Sequence, residues 1–200
     1  MRGTIATMIL VLATGSAWAQ QDTGSGKNVY DLIKPEELKN YCIYQNNIYS
    51  IGAFTCEGKQ ASPPLSWSEL PPQTRSIAIL VDDRDAPGGT FEHLVLYNLP
   101  PTERSLASQP AKGITGPGAA ALNSNQDRGW APICPPSGMH HYRFIVFGLD
   151  TMLLLPARAT SRDVEQAMSG HIVARGELVG TYQKGAAKKV LPARPPQYVK

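Results

Sequence analysis

Three short apolar runs decide what this chain can fold into. Ile77 to Val81, Leu94 to Leu99 and Tyr142 to Leu149 are five to eight residues long, rich in Ile, Val, Phe and Tyr, and separated by clusters of Pro, Gly and Asn. Runs of that length and composition favour strands over helices. In Tyr142 to Leu149 both alternating sets are largely apolar, as expected of a strand covered on both faces. Short strands with long Pro-rich connections predict a mainly β protein, a β-sandwich with few helices. One helix is signalled: Thr160 stands three residues before Asp163 as a capping box, and Val164, Met168 and Ile172 follow at four-residue spacing until Gly170 interrupts. Gln109 to Pro136 is glycine- and proline-rich without periodicity, and loops that long in a compact domain are functional or mobile.

Two hundred residues without an internal repeat fit one domain. Arg2, the apolar run Ile5 to Ala13 and the small-x-small ending Ala17-Trp18-Ala19 read as a signal peptide over residues 1–19, cleaved after Ala19. That run is too short to span a bilayer, and nothing later is long enough, so no transmembrane segment is expected. A polar, glycine-rich lead-in over 20–29, a domain over 30–183 beginning near Tyr30, and a basic Pro/Ala-rich, disordered tail over 184–200 complete the expected organisation. The net charge of +3 is too small, and too scattered outside the tail, to argue for nucleic acid. Export to the periplasm or beyond lets thiols persist as disulfides, and Cys42, Cys56 and Cys134 permit one bridge with one thiol left over.

Asp83 and Asp85 follow a buried-type strand, and positions two apart on a strand share a face. Ala86-Pro87-Gly88-Gly89 turns the chain sharply, and His93 opens the next strand, with Phe91 available as an aromatic wall. Pro135-Pro136-Ser137-Gly138 turns into His140-His141-Tyr142, where alternation puts His140 and Tyr142 on one face and His141 with Arg143 on the other. Singly, these residues are ordinary turn formers and structural histidines. Together they describe carboxylates orienting imidazoles, and an imidazolium so held donates well to a phosphate or other anion.

These residues resemble the phosphatidylethanolamine-binding protein family, in its bacterial Raf-kinase-inhibitor-like branch. Val81-Asp82-Asp83-Arg84-Asp85-Ala86-Pro87 is similar to the family's Asp-Pro-Asp-Ala-Pro motif, with Arg84 in place of its first proline. His93 to Pro100 resembles the strand carrying its first pocket histidine, and Cys134 to Tyr142 resembles its Cys-Pro-Pro-x-Gly-x-His-Arg-Tyr motif with His141 in place of arginine. Phe54 to Gly58 with Ser62 to Trp67, and Met168 to His171 with Leu178 to Tyr182, are similar to the prokaryotic branch, so the resemblance spans about residues 40 to 183.

The resemblance implies a pocket of Asp83, Asp85, His93, Pro136, His140 and Tyr142 that accepts phosphate-like anions or phospholipid head groups, with Phe91 and Arg84 as further candidates. It also implies a cis Ala86-Pro87 bond and a Cys56–Cys134 disulfide, leaving Cys42 over. No cofactor is implied. Ala131-Pro132-Ile133 departs from the family, whose glycines there give N–H groups to the anion, because proline has none. Arg84 either folds inward to compensate or is solvated, the second being favoured, and His171 is read as structural for want of a partner in sequence.

An anion-binding module that modulates a partner protein is the expected function. A secreted inhibitor-like interaction protein with a vestigial pocket is the alternative. A metal-dependent hydrolase using Asp83, Asp85, His93 and His140 is disfavoured, since neither Ser137 nor an oxidised Cys134 offers a paired nucleophile.

Overall fold

The computed structural model describes residues 54–58 and 60–185, and the backbone alone of four short strands before them. In chain order the strands are β1 (Ala6–Thr7), β2 (Leu10–Leu12), β3 (Tyr41–Tyr44), β4 (Asn47–Ser50), β5 (Leu65–Trp67), β6 (Ser76–Asp83), β7 (Phe91–Leu99), β8 (Ser105–Leu106), β9 (Ala119–Ala120) and β10 (Met139–Leu149). Helix α1 (Ser161–Met168) and strand β11 (Ile172–Gln183) follow. A six-stranded sheet runs β1-β11-β10-β6-β7-β9, a three-stranded sheet runs β2-β5-β8, and β3 pairs with β4. The expected start near Tyr30, the lead-in at 20–29, the Cys42 side chain and the tail beyond residue 185 lie outside the described residues, as does most of the expected leader.

Every residue of β6 is buried, because both faces of the large sheet are covered. Ile77, Ile79 and Val81 of β6, with Leu94 and Leu96 of β7, pack against Leu65 and Trp67 of β5 and Leu106 of β8. The alternate set, Ala78, Leu80, Val95, Ile145 and Phe147, packs under Val164 and Met168 of α1. Each Leu, Ile, Val, Phe and Met among them contributes about 1.5–3 kcal/mol on burial. The mainly β architecture expected from the short runs is therefore present, with one helix near the C-terminal end among the described residues.

Thr160 caps α1 as expected: Asp163 accepts from the Thr160 N–H, and the Thr160 hydroxyl accepts from the Asp163 N–H. The helix stops at Met168, and Gly170 at φ 83° turns the chain, so Ile172 opens β11 instead of completing a third helical turn.

The long Gln109–Pro136 connection is fastened from within. The buried Gln109 side chain donates to the carbonyls of Ala107 and Thr115 and accepts from the Thr115 N–H. Gly129, at φ 144°, lies so close to Gly113 that an added Cβ would stand 2.5 Å from its carbonyl oxygen, so only glycine fits. That closure delivers Trp130 to Ile133 beside β7, where Thr55 bridges Ile133 and Cys56 is disulfide-bonded to Cys134.

The implied cis bond at Ala86-Pro87 is not formed; no described peptide is cis. Ala86 is the first residue of a turn closed by the Gly89 N–H on the Ala86 carbonyl. Pro87 therefore occupies the second turn position, where its fixed φ suits the trans form and cis geometry is not needed.

Candidate functional site

A β-bulge aims the first histidine. On β7, Leu94 pairs with Val81 while Glu92 pairs with Asp82, which leaves His93 as an extra residue in the ladder. Strict alternation would turn His93 away from Leu94. The bulge instead brings its ring against Phe91 (4.8 Å between centroids), Trp130 (5.6 Å) and Tyr142 (5.4 Å). The Ala131 carbonyl stands 2.6 Å from His93 Nδ1 and accepts its proton, while the Ala131 N–H donates to the His93 carbonyl. Nε2 of the neutral ring then carries a lone pair, and it is buried without a partner among the described residues. Burial pushes the imidazole below its ordinary pKa, against the opposing pull of the Ala131 carbonyl, Asp83 and Asp82, so the resting ring is neutral.

Asp83 and Tyr142 face each other across β6 and β10. His140 Nδ1 donates to Asp83 Oδ2 at 2.7 Å with both side chains buried, and Asp83 Oδ1 accepts the Asp85 N–H at 2.9 Å. That second bond is a local turn beginning where the strand ends, so alternation does not carry on to Asp85. Asp85 is exposed and accepts from both the backbone N–H and the ring Nδ1 of His141, an exposed residue. His140 and His141 thus face apart as expected, whereas Asp85 sits at the rim and not beside Asp83. The Tyr142 hydroxyl is buried with only a poorly aligned contact to the Asp83 carboxylate, and burial, reinforced by the Asp83 charge, raises its pKa and keeps it protonated.

Phe91 is half-buried at the edge of this cluster, and Pro136 and Arg84 are exposed. Ala131-Pro132-Ile133 offers no free N–H at its first two positions, since that of Ala131 is taken by His93. Trp130 was not anticipated: wholly buried, stacked toward Phe144 and next to His93, it carries an indole N–H without a partner among the described residues. An aromatic residue directly after the loop glycine is the signal that could have found it. Tyr182, opposite His140 on β11, donates to Glu57 and ties the segment carrying Cys56 to the sheet. His171 has a partner the sequence did not reveal, Asp150 at 2.8 Å, and both are partly exposed. Among the described residues no three His, Cys, Asp or Glu side chains are grouped to hold a metal ion.

The opposite face of the same strands holds a second group of charges. Asp82 lies across from Glu92, and Arg143 clasps Asp82 through Nε and Nη2. Glu92 Oε2 is buried without a partner, and burial, aided by the Asp82 and Glu165 charges, raises its pKa to about 7. A raised carboxyl pKa means that the folded state holds a proton the unfolded chain has released, so stability falls as pH climbs from about 4.5 to about 7 and levels off above. Glu92→Gln is expected to raise stability by on the order of 1 to 2 kcal/mol at pH 8, after discounting for partial solvent screening. Near pH 4.5 it should have little effect, and urea denaturation at both pH values measures the difference; equal effects at both would contradict it.

A separate cavity of about 370 Å³ beside β9, lined by Tyr97, Ile114, Ala120, Arg128, Leu155 and Pro156 among others, shares no residue with the His93 cluster.

The family model described as phosphatidylethanolamine-binding protein matches residues 43–183. A UPF0098 protein of Methanothermobacter thermautotrophicus is 39% identical over 134 residues, covering 66% of this chain and 89% of its own length. A phosphatidylethanolamine-binding protein homolog, CT736 of Chlamydia trachomatis, has a crystal structure that superposes with a TM-score of 0.61 at 36% identity, over 66% of this chain and 88% of that one. E. coli YbcL gives a TM-score of 0.57 at 31% identity, over 65% of this chain and 84% of its own.

Proposed function

The chain belongs to the phosphatidylethanolamine-binding protein family, and from that premise we propose that it is an exported binding protein whose Asp83, His93, His140 and Tyr142 cluster takes a phosphate-like anion, free or on a phospholipid head group. The bound state then modulates a partner protein. One observation carries this: His93 and Trp130, adjacent aromatic rings, each hold a buried polar atom without a partner among the described residues, and the Tyr142 hydroxyl beside them has only a poorly aligned contact with Asp83. Such orphans cost about 1–3 kcal/mol each and persist where a ligand satisfies them. Nε2 of His93 is closed off from solvent, so an entering ion must displace a ring, and Phe91, half-exposed at 4.8 Å, is placed to move.

Tyr142→Phe tests the proposal cleanly. Removing a hydroxyl that has only a poorly aligned contact with Asp83 should change the melting temperature little, while phosphate or phosphoethanolamine affinity falls roughly tenfold. Calorimetric titration, with lipid vesicles as a third arm, reads the outcome. Unchanged affinity would move attention to a loop-borne interaction surface, where Leu154 is 96% exposed beside Met152 at 52%.

Export rests on the leader of residues 1–19 and agrees with the Cys56–Cys134 disulfide. Cleavage after Ala19 would remove β1 and β2 from the edges of β11 and β5.

A further inference from the structure

We infer that the cavity beside β9 is a second ligand site, which takes a small carboxylate carrying a compact apolar body. It stands apart from the His93 cluster, whatever that cluster binds.

Three segments wall the cavity, and each is fastened. Strand β9 pairs with β7, Ala119 lying opposite Tyr97 and Ala120 opposite Leu96. Asn98, next along β7, adopts φ 57°, a conformation that asparagine tolerates, and clasps the loop that leads to α1. Its side-chain amide donates to the Leu153 carbonyl at 2.9 Å and accepts from the Leu153 N–H at 2.8 Å. Leu155 and Pro156 follow directly on this anchored residue and line the cavity together with Tyr97. The third wall, Gly113 and Ile114, is held by the close approach of Gly113 to Gly129, beside which Arg128 joins the lining. Walls fixed in this way leave little to order when a ligand enters. At about 370 Å³ the space lies within the range of small-molecule sites.

The lining selects the chemistry. Tyr97, Ile114, Ala120, Leu155 and Pro156 offer apolar surface, and Arg128 is the one charged side chain among the lining residues. Arg128 is exposed and makes no ion pair among the described residues. Its guanidinium presents a fork of N–H donors that a carboxylate meets with two oxygens. Lys112 and Arg158 adjoin the lining in sequence and add positive charge, against Asp127 alone. A cation is repelled here, and an uncharged molecule gains nothing from the guanidinium. A dianion sets its second charge against apolar walls. A monoanion with an apolar body answers both the charge and the walls.

Three probes that share one apolar body and differ in charge test this: 3-phenylpropionate, 3-phenylpropanol and 3-phenylpropylammonium. Each is titrated into isotope-labelled protein at neutral pH and matched ionic strength, and amide chemical shifts report both affinity and place. The acid should bind with a Kd of roughly 0.1 to 1 mM, about three- to tenfold more tightly than the alcohol, with the amine weakest. The shifts should gather at Tyr97, Ile114, Ala120 and Leu155. Arg128→Gln should bring the acid close to the alcohol while leaving the alcohol unchanged. Ala157→Trp, on an exposed turn at the lining, should fill the entrance and weaken acid and alcohol alike by roughly tenfold or more. Equal affinity for acid and amine, shifts that gather at His93 and His140 instead, or a folded Arg128→Gln that keeps the full preference for the acid overturns the inference. Where a variant does not fold, the charge preference and the place of the shifts in the unaltered protein decide.

Discussion

Replacing Cys56 and Cys134 together by serine is expected to lower unfolding free energy by about 4 kcal/mol, because the bridge closes a loop of 78 residues in the unfolded chain. For a domain of this size that corresponds to roughly 10 °C in melting temperature. The double replacement is preferred to a single one, which would leave a free thiol able to pair with Cys42. Native contacts offset part of the loss, since the Cys56 N–H still donates to the Ile133 carbonyl and Thr55 still bridges Ile133. The same segment carries Ala131, whose carbonyl sets the His93 tautomer, so anion affinity should fall along with stability. Thermal unfolding with and without a strong reductant gives an independent measure on the unaltered protein. A loss below about 1 kcal/mol in both experiments would show that the Thr55–Ile133 contact, not the bridge, fastens the loop.

The parts of the fold that could be read from sequence are those governed by local chemistry. Ile77 to Val81 and Tyr142 to Leu149 announce strands because both faces are apolar, and Thr160 with Asp163 announces a helix start because the two side chains answer each other's backbone. Strand β11 is less visible: its buried positions are Ala174, Gly176, Gly180 and Tyr182, and the two glycines and the alanine among them leave little apolar pattern to read. Its identity comes from lying along β10, a long-range property. At the site, alternation places His140, His141 and Tyr142 correctly because β10 is regular there. It fails for Asp85, where the strand has ended, and it would have failed for His93, which reaches the cluster through a bulge that only the pairing register reveals. Trp130 enters for a similarly non-local reason, the close approach of Gly129 to Gly113.

His140→Ala should be the most costly single change at the site, about 3–5 kcal/mol at neutral pH. Asp83 is 4% exposed and uses both oxygens, one on the His140 ring and one on the Asp85 N–H. Deleting the imidazole leaves a buried carboxylate one partner short, facing Tyr142 across the sheet, and burial makes that deficit expensive. The double variant His140→Ala with Asp83→Ala discriminates between two origins of the loss. If the penalty is the abandoned carboxylate, removing Asp83 as well should return much of the stability, so the double variant is less destabilised than the sum of the singles by roughly 1–3 kcal/mol. If the penalty is lost packing around the His140 ring, which stacks toward Tyr142 at 6.4 Å, the two losses add. Strict additivity in urea denaturation would therefore reduce the Asp83–His140 pair to a packing contact and take away its role in fixing which nitrogen of His140 faces the site.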